Sequence, residues 1–238
     1  MLFSFFNIAN LDLVLHGLQN LQKTLEFEMI EQGSPEWFAQ RLGKVTASRV
    51  ADVIAKTKTG YSTSRDNYMA QLVCERMTQT VAESYSNAAM QWGTETEPLA
   101  RAAYEAYADV LVDEVAMIQH PTIEAAGASP DGLVGDDGQI EIKCPNTATH
   151  IDTLLSQTVP GKYITQMQWQ MACTGRQWCD FVSFDPRMSD GLQLFVKRVP
   201  RDNAYIAMLE EEVKKFLVEL DGKIMKLNDL KEKHGNNL

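Results

Sequence analysis

The stretch from Ser129 to Pro145 constrains the fold more than any other part of the chain, because two short apolar runs flank a reversal carrying Gly132, Gly135 and Gly138. Glycine lets the backbone turn where a side chain would clash, so the segment reads as a strand, a tight turn and a second strand. In the second run Gln139, Ile140, Glu141, Ile142 and Lys143 alternate polar and apolar. Successive side chains of a strand point to opposite faces, which sends Glu141 and Lys143 one way and Ile140 and Ile142 the other. Asp131 heads the first run, so its carboxylate is expected beside Glu141 on the neighbouring strand.

Two carboxylates and a lysine held this way suit phosphodiester hydrolysis. That reaction needs hard oxygen ligands for Mg²⁺ and a cation that holds or activates the attacking water. An isolated Glu-x-Lys is more simply a solvated hairpin with scattered charges. The whole string, from Ser129-Pro130-Asp131-Gly132 to Glu141-Ile142-Lys143-Cys144-Pro145, favours a site. A calcium loop fails on register, since it would need oxygen ligands at Leu133 and Gly135, Gly at Asp136 and Glu at Ile142.

A chain of 238 residues can bury one sizeable α/β core or two small ones. No repeat or Pro/Ser-rich linker divides it, which predicts a single domain over 29–227 between an N-terminal extension, 1–28, and a polar tail, 228–238. The net charge of −10 excludes a broadly basic nucleic-acid binder; any positive potential for DNA must be local. Cys74, Cys144, Cys173 and Cys179 have no CxxC spacing and suit a reducing, cytoplasmic setting. His16, His120, His150 and His234 are scattered, which argues against zinc, and no Walker loop points to ATP-driven unwinding.

In the extension, Leu11, Val14, Leu15, Leu18, Leu21 and Leu25 recur at helical spacing. They fit neither a signal peptide nor a membrane span, and two readings stand: an amphipathic docking helix, or upstream sequence ahead of a start at Met29. Ser34 and Pro35 predict a helix running to Gly43, and a second helix is expected from Thr46 to Ala55. Thr46 and Ser48 would then lie at a helix N-terminus near Arg41, as an anion pocket or as plain capping and surface charge. Ser64 is expected to cap a helix to Thr78 with Tyr68, Leu72, Val73 and Met77 inward. Trp92 to Glu97 introduces a helix to Ala108, with Thr94 and Glu97 at capping-box spacing. Strands are predicted at Val110–Ile118, Ile123–Ala128, around Leu133 and at Ile140–Ile142. A helix follows over Lys162–Cys173, with Gln166 and Gln170 on one face. Two strands, Gln177–Phe184 and Leu192–Val199, flank Asp185-Pro186-Arg187. The long closing helix turns Ile206, Leu209, Val213, Phe216, Leu217 and Leu220 inward.

Trp37, the run Arg41-Leu42-Gly43-Lys44-Val45-Thr46-Ala47-Ser48, Trp92-Gly93 to Glu97, the 129–145 string, Gln166-Met167-Gln168 and Asp185-Pro186-Arg187-Met188 occur in one order across roughly residues 30 to 225. This ordered set resembles the viral exonucleases and recombinases of the phage lambda exonuclease type (YqaJ-like), within the PD-(D/E)XK nuclease superfamily. The resemblance implies an α/β (α+β type) fold, a central mixed sheet flanked by helices around a restriction-endonuclease-like core. It implies 5′-to-3′ digestion of linear double-stranded DNA to mononucleotides, leaving a 3′ strand for a phage annealing protein. It further implies two Mg²⁺ ions, replaceable by Mn²⁺, held by Asp131, Glu141, the Ile142 carbonyl and Glu97, with Lys143 and Gln166 also catalytic. Arg41, Thr46 and Ser48 would hold the 5′-phosphate; Lys58 would contact the backbone and Met90 wedge into the duplex. A homotrimeric ring in a bacterial host cell, encoded by a phage or prophage, completes the expectation, with no membrane partner. An endonuclease on the same core, or a non-catalytic DNA-end scaffold, are the rival readings.

Overall fold

The computed structural model describes residues 30–81 and 88–235; the expectation for the 1–28 extension lies outside the described residues. Ser34 caps helix α1 (Pro35–Arg41), its hydroxyl accepting from the Trp37 N–H. A two-residue strand β1 (Val45–Thr46), a single 3₁₀ turn (Ala47–Arg49) and a short helix α2 (Val50–Ile54) come next. The hairpin β2 (Lys56–Thr57) and β3 (Gly60–Tyr61) leads to α3 (Thr63–Thr78). Helix α4 (Ala88–Ala108) precedes the short strands β4 (Val112–Asp113), β5 (Ile118–Gln119), β6 (Ala126–Ala128) and β7 (Gly132–Val134). Strand β8 (Gly138–Lys143), helices α5 (Thr147–Ser156) and α6 (Gly161–Thr174), strands β9 (Trp178–Phe184) and β10 (Leu194–Pro200), and helix α7 (Asn203–Gly235) complete the chain.

The main sheet has the order β10-β9-β8-β7-β4 and is mixed, as expected: β8 runs parallel to β9 and the other pairs are antiparallel. Parallel neighbours require a crossover, and α5 and α6 supply it. Both faces of β8 are covered. Ile140 and Ile142 pack with Ala100 and Tyr104 of α4, Val134 and Val182. On the opposite face Met167 and Met171 of α6 pack on Cys179 and Phe181 of β9. A further core joins α2, α3 and α7, where Leu209, Val213, Phe216 and Leu220 meet Tyr68, Leu72 and the fully buried Trp169.

Several expectations need correction. The Thr46–Ala55 helix is divided, because β1 pairs in parallel with β6 through Val45 and Thr46 before any helix can begin. The cap of α3 is Ser62 rather than Ser64, and Met77 is exposed while Met69 takes a buried place. The single strand over Val110–Ile118 is two strands in different sheets, since β5 and β6 join β1 in a separate three-stranded sheet. Helix α5 has no counterpart among the predicted elements; Asn146 caps it, its side chain accepting from the Thr149 N–H. Residues 228–235, read above as polar tail, continue α7.

Gly138 opens β8 opposite Trp178 of β9, and a Cβ there would fall 2.1 Å from the indole Cζ2. The ring cannot retreat freely, because the Arg198 guanidinium lies 3.5 Å above it. Gly138→Ala is therefore expected to lower the unfolding free energy by about 1–3 kcal/mol, the range for overpacking a tight site. Urea unfolding of the variant against the natural chain measures it.

Candidate active site

Glu141 sits in the middle of the polar face of β8 and has no solvent exposure. A buried carboxylate is costly unless its oxygens are matched by donors. Helix α6 supplies two of them from successive turns: Gln166 Nε2 donates to Oε1 at 2.7 Å and Gln170 Nε2 to Oε2 at 2.5 Å. The Lys143 ammonium, two residues along the strand, also contacts Oε1. The alternation of the sequence thus places Gln139, Glu141 and Lys143 toward α6 and the isoleucines toward α4.

Asp131 stands just before β7, half-buried, and its Oδ2 accepts from the Ile142 N–H at 2.6 Å. The hydrogen bond ties the end of β7 to the residue between Glu141 and Lys143. Burial first, and then the Glu141 charge, push the Asp131 carboxyl well above its ordinary value, against the opposing pull of Lys143. Glu97 is likewise raised, chiefly by burial, although Arg101 and Lys143 oppose the shift. Burial works against the Lys143 charge, but the Glu141 and Asp131 carboxylates outweigh it and hold the ammonium above its usual range. Lys143 is accordingly a cation in this arrangement.

Glu97 does not cap a helix. Helix α4 begins by Ala88, so Thr94 and Glu97 lie well inside it, and the Thr94 hydroxyl donates to the Met90 carbonyl instead of closing a capping box. The Glu97 Oε1 pairs with Arg101 at 2.9 Å one turn on. Glu97, Ile142, Lys143, Cys144, Tyr163 and Met90 border a cavity of about 540 Å³. The Cys144 thiol there is pushed up to about 12, chiefly by burial, and stays protonated.

A smaller cavity, about 150 Å³, is lined by Gln32, Arg41, Ser48, Ser129, Asp131 and Gln166. Ser129, a residue the motif gives no role, joins its walls: its hydroxyl accepts from Arg41 Nη1 at 3.2 Å and from Trp37 Nε1 at 3.0 Å. The guanidinium of Arg41 also stacks 4.0 Å over the Trp37 ring. Burial lowers the Arg41 pKa to about 10, which leaves it charged at neutral pH. Thr46 borders a third cavity, of about 290 Å³, together with Arg41, Lys44, Ser48, Arg49 and Met90. The helix-terminus argument for Thr46 and Ser48 does not hold, because Thr46 makes no side-chain cap and the 3₁₀ turn it precedes is too short for a dipole. Arg41 and Ser48 reach the site instead through their cavity. Lys58 lies elsewhere, at the exposed tip of the β2–β3 hairpin, whose Tyr61 bonds Glu212 of α7.

The Asp185-Pro186-Arg187 turn also bears on the site. Asp185 is fully buried and accepts from Thr147 Oγ1 at 2.6 Å, the Arg187 N–H at 3.0 Å and Arg187 Nε at 2.7 Å. Arg187 reaches on to the Pro145 carbonyl and lies 4.3 Å from the centre of the Trp92 ring in α4. The turn therefore fastens the segment leaving Lys143 to the helix carrying Glu97.

Among the described residues no three His, Cys, Asp or Glu side chains share metal-ligand spacing. A cation would have to combine the carboxylates with a backbone oxygen, and the donor chemistry fits one: hard oxygens whose burial, reinforced by repulsion from Glu141, raises Asp131 and Glu97. Among the described residues no helix is long and apolar enough to cross a membrane.

A family profile for the YqaJ-like viral recombinase domain matches residues 36–177, more than half of the chain. This chain belongs to the YqaJ-like viral recombinase family. The matched range holds all the site residues named above from Arg41 to Gln170. An alkaline exonuclease from Laribacter hongkongensis is 57% identical, over 84% of this chain and 99% of that one, with a TM-score of 0.79. The same enzyme in complex with dAMP gives a TM-score of 0.80 at the same identity and coverage. A phage-related exonuclease from Haemophilus somnus 129PT, 18% identical over 77% of this chain and 96% of its own, shares the fold with a TM-score of 0.59. No curated protein matches the chain. The lambda-exonuclease-like resemblance and the mixed-sheet α/β fold read from the motifs both hold.

Burial alone would raise the Asp185 carboxyl, but the Arg187 and Thr147 hydrogen bonds hold it down at about 2. A carboxylate lowered from an ordinary value of about 3.9 contributes stability that is full above that pH and is lost as the pH falls through about 2. Melting temperatures of the natural chain and Asp185→Asn should differ fully above about pH 4 and converge toward pH 2.

Proposed function

We propose that this protein is a Mg²⁺-dependent 5′-to-3′ exonuclease acting on linear double-stranded DNA, releasing mononucleotides and leaving a 3′ strand for an annealing protein. One observation carries the reading: Lys143 and Gln166 both contact Glu141 on β8, and Asp131, just before β7, is tied to the same strand through the N–H of Ile142, the residue between Glu141 and Lys143. The 57% identical alkaline exonuclease, also known in complex with dAMP, supports a DNA nuclease.

Asp131, Glu141, the Ile142 carbonyl and Glu97 would hold two Mg²⁺ ions, with Mn²⁺ as a substitute. Bound there, the ions supply Lewis acidity at the phosphate and lower the pKa of the attacking water. Lys143 acts as an orienting cation for water or a phosphate oxygen, since carboxylate neighbours keep its proton in place. Gln166, bonded to Glu141 and lining the cavity with Asp131, orients the substrate from the helix side. Arg41 and Ser48, with Ser129, receive the 5′-phosphate in the adjoining cavity. Thr46 lines the next cavity and steadies its wall. Met90, exposed at the edge of two cavities, is placed to wedge into the duplex, and Lys58 to touch its backbone farther out.

An acidic chain gains little from bulk attraction to DNA. A homotrimeric ring around the duplex would retain it by topology instead, in the cytoplasm of a bacterial host. A native mass of one chain contradicts the ring.

The deciding assay incubates linear duplexes with and without a 5′-phosphate, and closed circles, with Mg²⁺ or EDTA. Nucleotide release from linear DNA only, fastest with the 5′-phosphate and abolished by EDTA, is expected. Lys143→Ala should lose about a hundredfold to a thousandfold in kcat, as when one preorganised transition-state donor is removed, while still binding ends. Cutting of closed circles would favour an endonuclease, and no release with Mg²⁺ a non-catalytic scaffold.

A further inference from the structure

Behind Glu141 lies a chain of buried amides that the proposed reaction does not use. Thr174 Oγ1 donates to Gln139 Oε1 at 2.7 Å, Gln139 Nε2 to Gln170 Oε1 at 3.3 Å, and Gln170 Nε2 to Glu141 Oε2 at 2.5 Å. Gln139 and Gln170 are fully buried, between β8 and α6. Leucine or methionine would fill such places without the cost of desolvating an amide. Each amide accepts at its oxygen and donates at its nitrogen, so all the dipoles point one way, positive end toward the carboxylate. Donors aligned in series polarise one another.

An ionised carboxylate offers about four acceptor positions. On Oε1 two are taken, by Lys143 and Gln166; on Oε2 one is taken, by Gln170. Among the described residues one position is left, on Oε2, and the direction it faces is set by the amide that occupies its neighbour.

We propose that Gln170, backed by Gln139 and Thr174, is a positioning residue that fixes the rotation of the Glu141 carboxylate and so decides which lone pair a divalent cation receives. Gln166 lines a cavity with Asp131, whereas Gln170 is fully buried behind the carboxylate and works through Glu141. The inference rests on the metal-dependent reading of the site given above.

The test is calorimetric titration of the full chain with Mn²⁺ in the absence of DNA, together with kcat and KM on a linear duplex. Gln170→Leu keeps the volume and removes the last donor. Its Mn²⁺ dissociation constant should rise about tenfold to a hundredfold, the usual cost of losing a group that orients a metal ligand. Its kcat at limiting Mn²⁺ should fall by a similar factor while KM for DNA stays unchanged. Thr174→Val, which severs the outermost link at the end of α6, should shift the constant the same way by a smaller factor. Gln139→Leu added to Gln170→Leu should cost no further affinity, because the chain is already cut. A merely structural role would lower the melting temperature and leave ion affinity alone. A folded Gln170→Leu with the natural affinity and kcat overturns the inference. If that variant does not fold, Thr174→Val decides, and an unchanged dissociation constant overturns it equally. A natural chain that binds no Mn²⁺ contradicts the metal-dependent reading itself, whereas one that binds it beside an indifferent Gln170→Leu contradicts this inference alone.

Discussion

The structure depends on keeping one negative charge, Glu141, out of water. A carboxylate with no exposure in the middle of a sheet cannot be tolerated without donors around it, and everything nearby is arranged to provide them. Helix α6 crosses β8 where Gln166 and Gln170 can both reach it, and Lys143 approaches along the strand. Asp131 is drawn in by the Ile142 N–H, which brings a second carboxylate to the first at the cost of repulsion. The isoleucines on the other face anchor this strand in a mainly apolar layer against α4, where the buried carboxylate beside them, Asp180, is matched by Tyr104 and Arg198. Rigid packing on one side thus makes a strained concentration of charge possible on the other.

That concentration explains how a chain of net charge −10 could address a polyanion. Its carboxylates are gathered where cations would neutralise them, while Arg41, Lys44 and Arg49 line the neighbouring cavity. Low dielectric sharpens each of these interactions relative to the same charges in water.

Much of this was legible in the sequence where local chemistry decides the outcome. Period two in Gln139–Lys143 fixed which side chains converge, and helical spacing put Gln166 and Gln170 on one face. The stripe from Ile206 to Leu220 is buried as its pattern requires. Reading failed where tertiary contact overrides local signals. Thr94 and Glu97 have the spacing of a helix start, yet the helix begins earlier and turns both into interior residues. Thr46 looks like a cap, but pairing of Val45 and Thr46 with β6 claims the backbone first. Ser129 carried no periodic signal of a role, and the shared face of Gln166 and Gln170 named no partner; only the fold reveals that Ser129 accepts from Arg41 and that Gln170 donates to Glu141. The Asp185-Pro186-Arg187 turn was recognisable as a motif, and its purpose emerges only when Thr147 and Trp92 come to meet it.

The central claim is that Asp131, Glu141 and the Ile142 carbonyl converge on divalent cations. Anomalous diffraction from Mn²⁺-soaked crystals tests it most directly. The account predicts a peak within about 2.0–2.6 Å of oxygens from all three residues, as hard cations require. A peak bound only at other carboxylates, with Glu141 still enclosed by its protein donors, would contradict it.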